Sequence, residues 1–353
     1  MRVREAKRAA EAWVERVGSG QPGFLGAYFA GSIVGMGDDD DLAPSSDVDI
    51  VVVTAGAVDG LQHGKHLYRG VLLEPTTLSW GLLSSPETVL SSYHLAGSFR
   101  VDTIIADPTG RLSDLQRVVA AGFAKRSWVR RRCRDAFRKS AAGLDGAAQA
   151  AVDPEAPFHQ QVLSWVFPTG VMTQVLLVAA LRNPTVRRRY LAVREVLEAY
   201  GRAEIYEQLL ALLGCAQVTQ AHLESHLPGL AAMFDAAASQ ARTPLSFSPD
   251  ITALARPIAI GGSQEMIEEG DHREAAFWMV VTAARCQTIL AADAAPEQWR
   301  AHVPAFEALL ADLGIRDASD LWRRAGQGLR FLPALWEVAE DILARNPEIV
   351  PDG

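Results

Sequence analysis

The spacing of apolar and polar positions changes character once along this chain. Up to about residue 115, short runs of apolar β-formers recur at 24–29, 47–53, 71–73 and 103–105, alternating with amphipathic stretches at 3–17 and 86–95. Side chains two apart on a strand share a face, so the run 47–53 predicts a strand that turns Val48 and Ile50 to a core and projects Asp47 and Asp49 together on the other side. Asp107-Pro108-Thr109-Gly110 reads as a turn, because proline presets φ and glycine takes backbone angles that other residues avoid. Past that turn the strand signal nearly vanishes. Asn183 before Pro184 reads as the cap and first position of a helix that puts Tyr190, Val193 and Leu197 on one face and stops at Gly201. Asp271 with Glu274 three positions on reads as a capping box for a helix burying Phe277 and Val281. The expected fold is therefore α/β plus all-α: a domain over 1–117 with a small mixed sheet, then a helical bundle over 118–353. No fixed-period repeat is visible.

Candidate chemistry sits where the strand 47–53 begins. Two carboxylates on one face repel unless a cation lies between them, and hard oxygen ligands suit Mg²⁺, which completes its shell with water and substrate phosphates. Upstream lies Gly31-Ser32, and downstream Glu74 ends the apolar run Val71-Leu72-Leu73. Gly31-Ser32, a loop, Asp47-x-Asp49 heading an apolar strand, and a later acid together resemble the nucleotidyltransferase superfamily. The resemblance implies that backbone near Gly31 and Ser32 holds a nucleoside triphosphate, ATP being the leading choice. It also implies that Asp47 and Asp49 hold Mg²⁺, and that Glu74 completes the metal shell or takes the proton of an attacking hydroxyl. It covers 24–110 by motif. The helical half adds likeness in architecture to the aminoglycoside nucleotidyltransferases, which implies a substrate-binding role for 118–353 and a small hydroxylated acceptor, with antibiotics foremost.

Length and charge narrow the classes. At 353 residues, two domains are the default. A net charge of −8 argues against nucleic acid as partner, since that affinity comes from neutralised phosphates. The alternatives kept open are a transferase acting on a protein or RNA, as in toxin–antitoxin systems, and an inactive nucleotide-binding module; the presence of all three acids argues against the latter. Cys133, Cys215 and Cys286 are odd in number and far apart, which suggests neither a disulfide framework nor a zinc site and fits the cytoplasm. The charged N-terminus shows no secretion signal. The stretch 162–181 lacks charge over a bilayer-spanning length, but Pro168-Thr169-Gly170 interrupts it, so a pair of buried helices is expected.

Three charged clusters have a simpler reading. Asp38-Asp39-Asp40-Asp41 is expected to be a solvated insertion. Eight basic residues between Lys125 and Lys139 are expected to decorate an exposed helix face above an inner stripe of Val129, Cys133 and Ala136; Arg187-Arg188-Arg189 fall in the same class. Glu268, Glu269, Asp271, His272 and Glu274 surround Gly270 as a helix end and the next helix's start, with a cationic substrate as the functional alternative. His94 and His159 have no ligand partners at useful spacing.

Overall fold

The structure, a computed structural model, describes residues 1–43, 45–56, 64–183 and 185–352. Two compact units emerge. The first comprises Met1–Asp135, Leu181–Thr185 and Arg345–Gly353; the second comprises Ala136–Ala180 and Val186–Ala344.

A five-stranded mixed sheet forms the middle layer of the first unit. Its strands are β1 (Phe24–Phe29), β2 (Val48–Thr54), β3 (His66–Tyr68), β4 (Val71–Ser79) and β5 (Ile104–Ala106), in the order β3-β4-β2-β1-β5. β2 and β4 run parallel and the other pairs antiparallel. Alternation then sorts the side chains. Val48, Ile50 and Val52 point with Ala27, Phe29 and Leu73 toward the apolar face of α1 (Val3–Arg16), where Ala6, Ala10, Trp13 and Val14 are buried. On the other face Tyr28 and Val53 meet Val89, Leu90, Phe99, Leu112 and Val119, residues carried by α2 (Pro86–Ser91), a 3₁₀ turn and α3 (Arg111–Gly122).

From there on the chain is helical: α4 (Arg126–Val152), α5 (Phe158–Ala179), α6 (Arg189–Ala199), α7 (Ala203–Leu213), α8 (Gln220–Gln240), α9 (Gly262–Glu268), α10 (His272–Asp293), α11 (Pro296–Asp312) and α12 (Ala318–Arg345). Helix α10 is the axis of the second unit. It packs against α5, α8 and α11, and Ala275 through Ala284 are buried without interruption, as a helix apolar on every side requires. α5 and α10 are 22 residues each, with mean hydropathy of 1.7 and 1.4 over their most apolar windows, and 78% of each window is buried within the protein.

Several expectations change at this level. Most of the stretch 162–181, up to Ala179, belongs to one helix, not a pair: α5 runs unbroken through Pro168. Proline removes the backbone donor that would reach Ser164 O; nearby, Ser140 Oγ donates to Pro168 O at 2.8 Å and Thr169 Oγ to Trp165 O at 2.7 Å. Strand β4 continues past Glu74 to Ser79 with Pro75 inside it. β3 covers only Val71, Leu72 and Leu73 on that side, so Pro75 needs no ladder partner there. The helix expected over 86–95 stops at Ser91, and a 3₁₀ turn follows at Ala96–Phe99. Pro184 lies outside the described residues; α6 begins at Arg189, so Asn183 is not its cap, whereas Gly201 does follow its end with φ +68°.

Within the charge clusters, two residues depart from the exposed reading, Arg132 and Arg189. Arg132, within the basic run, is buried on the inner side beside Val129, Cys133 and Ala136. It donates to Leu90 O at 3.1 Å and to Phe123 O, over whose ring it stacks at 4.3 Å. Burial pushes its guanidinium down to about 10. Arg189 is likewise buried, over the Phe277 ring at 4.4 Å, and Tyr190 is fully buried. The loop acids are exposed, and two of them pair with α1, Asp39 with Arg4 and Asp38 with Lys7, while Asp41 pairs with Arg2 just before it.

Candidate metal centre

Sheet register brings the candidate acids together. Strand β2 pairs with β4 so that Asp49 lies opposite Glu74, and Asp47 stands two residues before Asp49, just ahead of the strand. Carboxylate oxygens of Asp47, Asp49 and Glu74 lie within 4.8 Å of one another, all three residues being half-buried. Sequence spacing alone placed the two aspartates on one face; only the parallel pairing aligns Glu74 with them.

On the far side of β2, the antiparallel neighbour β1 ends at Phe29 opposite Ile50, and Ala30 N–H donates to Asp49 O at 3.1 Å. The chain then turns at Gly31, with φ +66°, into a 3₁₀ turn over Gly31–Gly35 anchored by buried Ile33. A Cβ built on Gly31 would stand 1.7 Å from Asp49 Oδ2. Glycine is therefore required here twice, for its left-handed backbone and for the room its missing side chain leaves to the carboxylate. Ser32 is exposed at the start of this turn.

Two residues that sequence reasoning missed complete the arrangement. Asn183, expected as a helix cap, instead donates its side-chain amide to Gly31 O at 3.0 Å. Lys65 sends its ammonium among the acids, 2.9 Å from Asp47 Oδ2 and hydrogen-bonded to Glu74 Oε2; its side chain is 4% exposed. The hairpin places Lys65 there. Arg69 and Gly70 both have positive φ and join Tyr68 to Val71 as a two-residue hairpin turn. With His66 opposite Leu73, continuing that register by one residue sets Lys65 beside Glu74.

The donor set suits a hard divalent cation. Three carboxylates converge, and among the described residues the group offers oxygen ligands alone, with neither thiolate nor imidazole in it. Such an ion has to share the site with the Lys65 ammonium or displace it.

The acidic cluster of the second unit has a different character. Arg194 donates to Asp271 Oδ1 at 2.8 Å and to Glu274 Oε1 at 2.7 Å, and Tyr206 OH also donates to Glu274. Asp271 precedes α10 but makes no side-chain cap, so the expected capping box is replaced by an ion-paired network. Glu268 accepts from Gln264 within α9. His272 bonds Gly270 O and Val218 O through its two ring nitrogens. His94 contacts Ser92 Oγ, and His159 is buried with its ring edge-on to Trp299.

No protein-family model matches the sequence, and no curated protein matches it either.

Proposed function

We propose that this chain is a Mg²⁺-dependent nucleotidyltransferase, moving a nucleoside monophosphate from a triphosphate, ATP foremost, to a hydroxyl of a small molecule such as an aminoglycoside-like antibiotic, with release of pyrophosphate. The observation that carries the reading is the convergence of Asp47, Asp49 and Glu74 beside the Gly31 turn. The proposal assigns catalysis to residues 1–117 and acceptor binding to 118–353, and it sets the reaction in the cytoplasm.

When bound, Mg²⁺ would neutralise charge on the phosphates and on the attacking and leaving oxygens of an in-line displacement at the α-phosphorus. Asp47 and Asp49 would hold it. Glu74 either adds a third ligand or accepts the hydroxyl proton, as the new oxygen–phosphorus bond forms and the bond to pyrophosphate breaks. Gly31 leaves the room that the Asp49 carboxylate fills, so the turn and this ligand can lie side by side.

The test is incubation with each α-labelled nucleoside triphosphate, Mg²⁺ and a panel of hydroxylated antibiotics, following pyrophosphate release and label transfer. Transfer that needs Mg²⁺ and falls to background in Asp49→Asn is the expected result. Full turnover in Asp47→Asn or Asp49→Asn, or label passing to none of the acceptors, overturns the reading.

A further inference from the structure

Lys65, Glu74 and Asp49 form one row across three neighbouring strand paths, with Asp47 closing over it from the start of β2. The lysine side chain is 4% exposed, against 19% for Asp47 and 22% for Glu74. A buried ammonium is costly unless it is paired, and three converging carboxylates are costly unless a cation lies among them; each requirement answers the other. Lys65 thus uses oxygens of Asp47 and Glu74, two of the three groups that a divalent ion would need. Two cations on the same oxygens would stand a few ångströms apart and repel strongly in a half-buried site.

We propose that Lys65 is a positioning residue of this site, a tethered cation that keeps the carboxylates converged and is expelled when a divalent cation takes its place. Metal entry and lysine release are then a single exchange. Metal affinity is set below what three carboxylates alone would give, and the acids stay gathered before the metal arrives. The inference rests on the metal reading above and adds to it a residue and a sequence of events.

The experiment uses the full-length chain and Mn²⁺ as spectroscopic probe, titrated by electron paramagnetic resonance into the wild type, Lys65→Met, Lys65→Arg and Asp49→Asn. Removing the competing charge should tighten Mn²⁺ binding in Lys65→Met by about tenfold, a shift well inside what a like charge at such range can exert. Lys65→Arg keeps the charge and should stay near the wild type. Without metal, Lys65→Met should melt lower than the wild type and gain more from Mn²⁺. In the wild type, acetic anhydride labelling of Lys65, read by mass spectrometry, should rise on Mn²⁺ addition as the side chain leaves its buried place. That measurement does not depend on any variant folding. Lys65→Met binding Mn²⁺ no more tightly than the wild type, or Lys65 labelling unchanged at saturating Mn²⁺, overturns the exchange while Asp49→Asn still reports the metal site. Absence of Mn²⁺ binding in both the wild type and Lys65→Met overturns the exchange and the metal site together.

Discussion

Gly31 and Arg194 show how much rests on single side chains. At Gly31 a methyl group meets both a positive φ and the Asp49 carboxylate. Gly31→Ala should therefore cost about 1–2 kcal/mol from the left-handed backbone alone and, by displacing Asp49, also weaken Mn²⁺ binding. Urea unfolding and Mn²⁺ titration read the two effects separately. Arg194 answers two acids, one of which, Glu274, has a side chain only 2% exposed. Arg194→Met leaves that carboxylate with Tyr206 as its remaining described donor and should destabilise by about 3 kcal/mol, the range for breaking a buried pair. Equilibrium unfolding checks it, and a change below 0.5 kcal/mol, the usual scale of a surface substitution, would show that the network is solvated.

Among the elements, close approach decides what the helices tolerate. Gly170 lies in the middle of α5, where glycine lowers helix propensity, yet a Cβ there would meet the Phe277 ring of α10 at 2.4 Å and Arg189 Nη1 at 2.7 Å. The gain in propensity from Gly170→Ala is smaller than the overpacking penalty, so the variant should lose about 1–3 kcal/mol. Thermal unfolding gives the sign at once. In the sheet, the parallel β2–β4 pairing is the element on which the site depends. A one-residue slip would carry Glu74 to the opposite face from Asp49, and the alternating burial of Val48, Ile50 and Val52 opposes that slip.

Across the whole molecule, pH should act in two separate windows. Burial holds the His159 imidazole down at about 4, against an ordinary value near 6.5. The unfolded chain then takes up a proton that the folded one refuses, so stability falls as pH drops from about 6.5 to about 4. His159→Gln should flatten the melting temperature over that window. Asp293 is held down at about 2 by the Thr243 hydroxyl and by the backbone N–H groups of Thr243 and Arg242. Its contribution is present above the ordinary carboxylate value near 3.9 and is lost as pH falls toward 2. Asp293→Asn should therefore lower the melting temperature at neutral pH and leave the histidine window untouched; melting curves at half-unit pH steps separate the two.

Local periodicity settled a good deal before any tertiary structure was known. The alternation of Val48, Asp49, Ile50 placed the strand and its polar face, the inner stripe Val129, Cys133 and Ala136 was read correctly, and the change from strands to helices past the Asp107–Gly110 turn is where the last strand ends. These features depend on neighbours a few residues apart, which is what a sequence displays. Partners brought in from a distance were not legible. Pairing with Arg194, 77 residues from Asp271 in the sequence, replaced a cap that local spacing favoured. Neighbours supplied by other elements drew Arg132 inside. The acids divide along the same line. Asp47 and Asp49 share a face because strands have a period of two, whereas Glu74 joins them, and Lys65 enters among them, only because two further strands align at one register, set by a hairpin turn and by the burial of one face of the sheet.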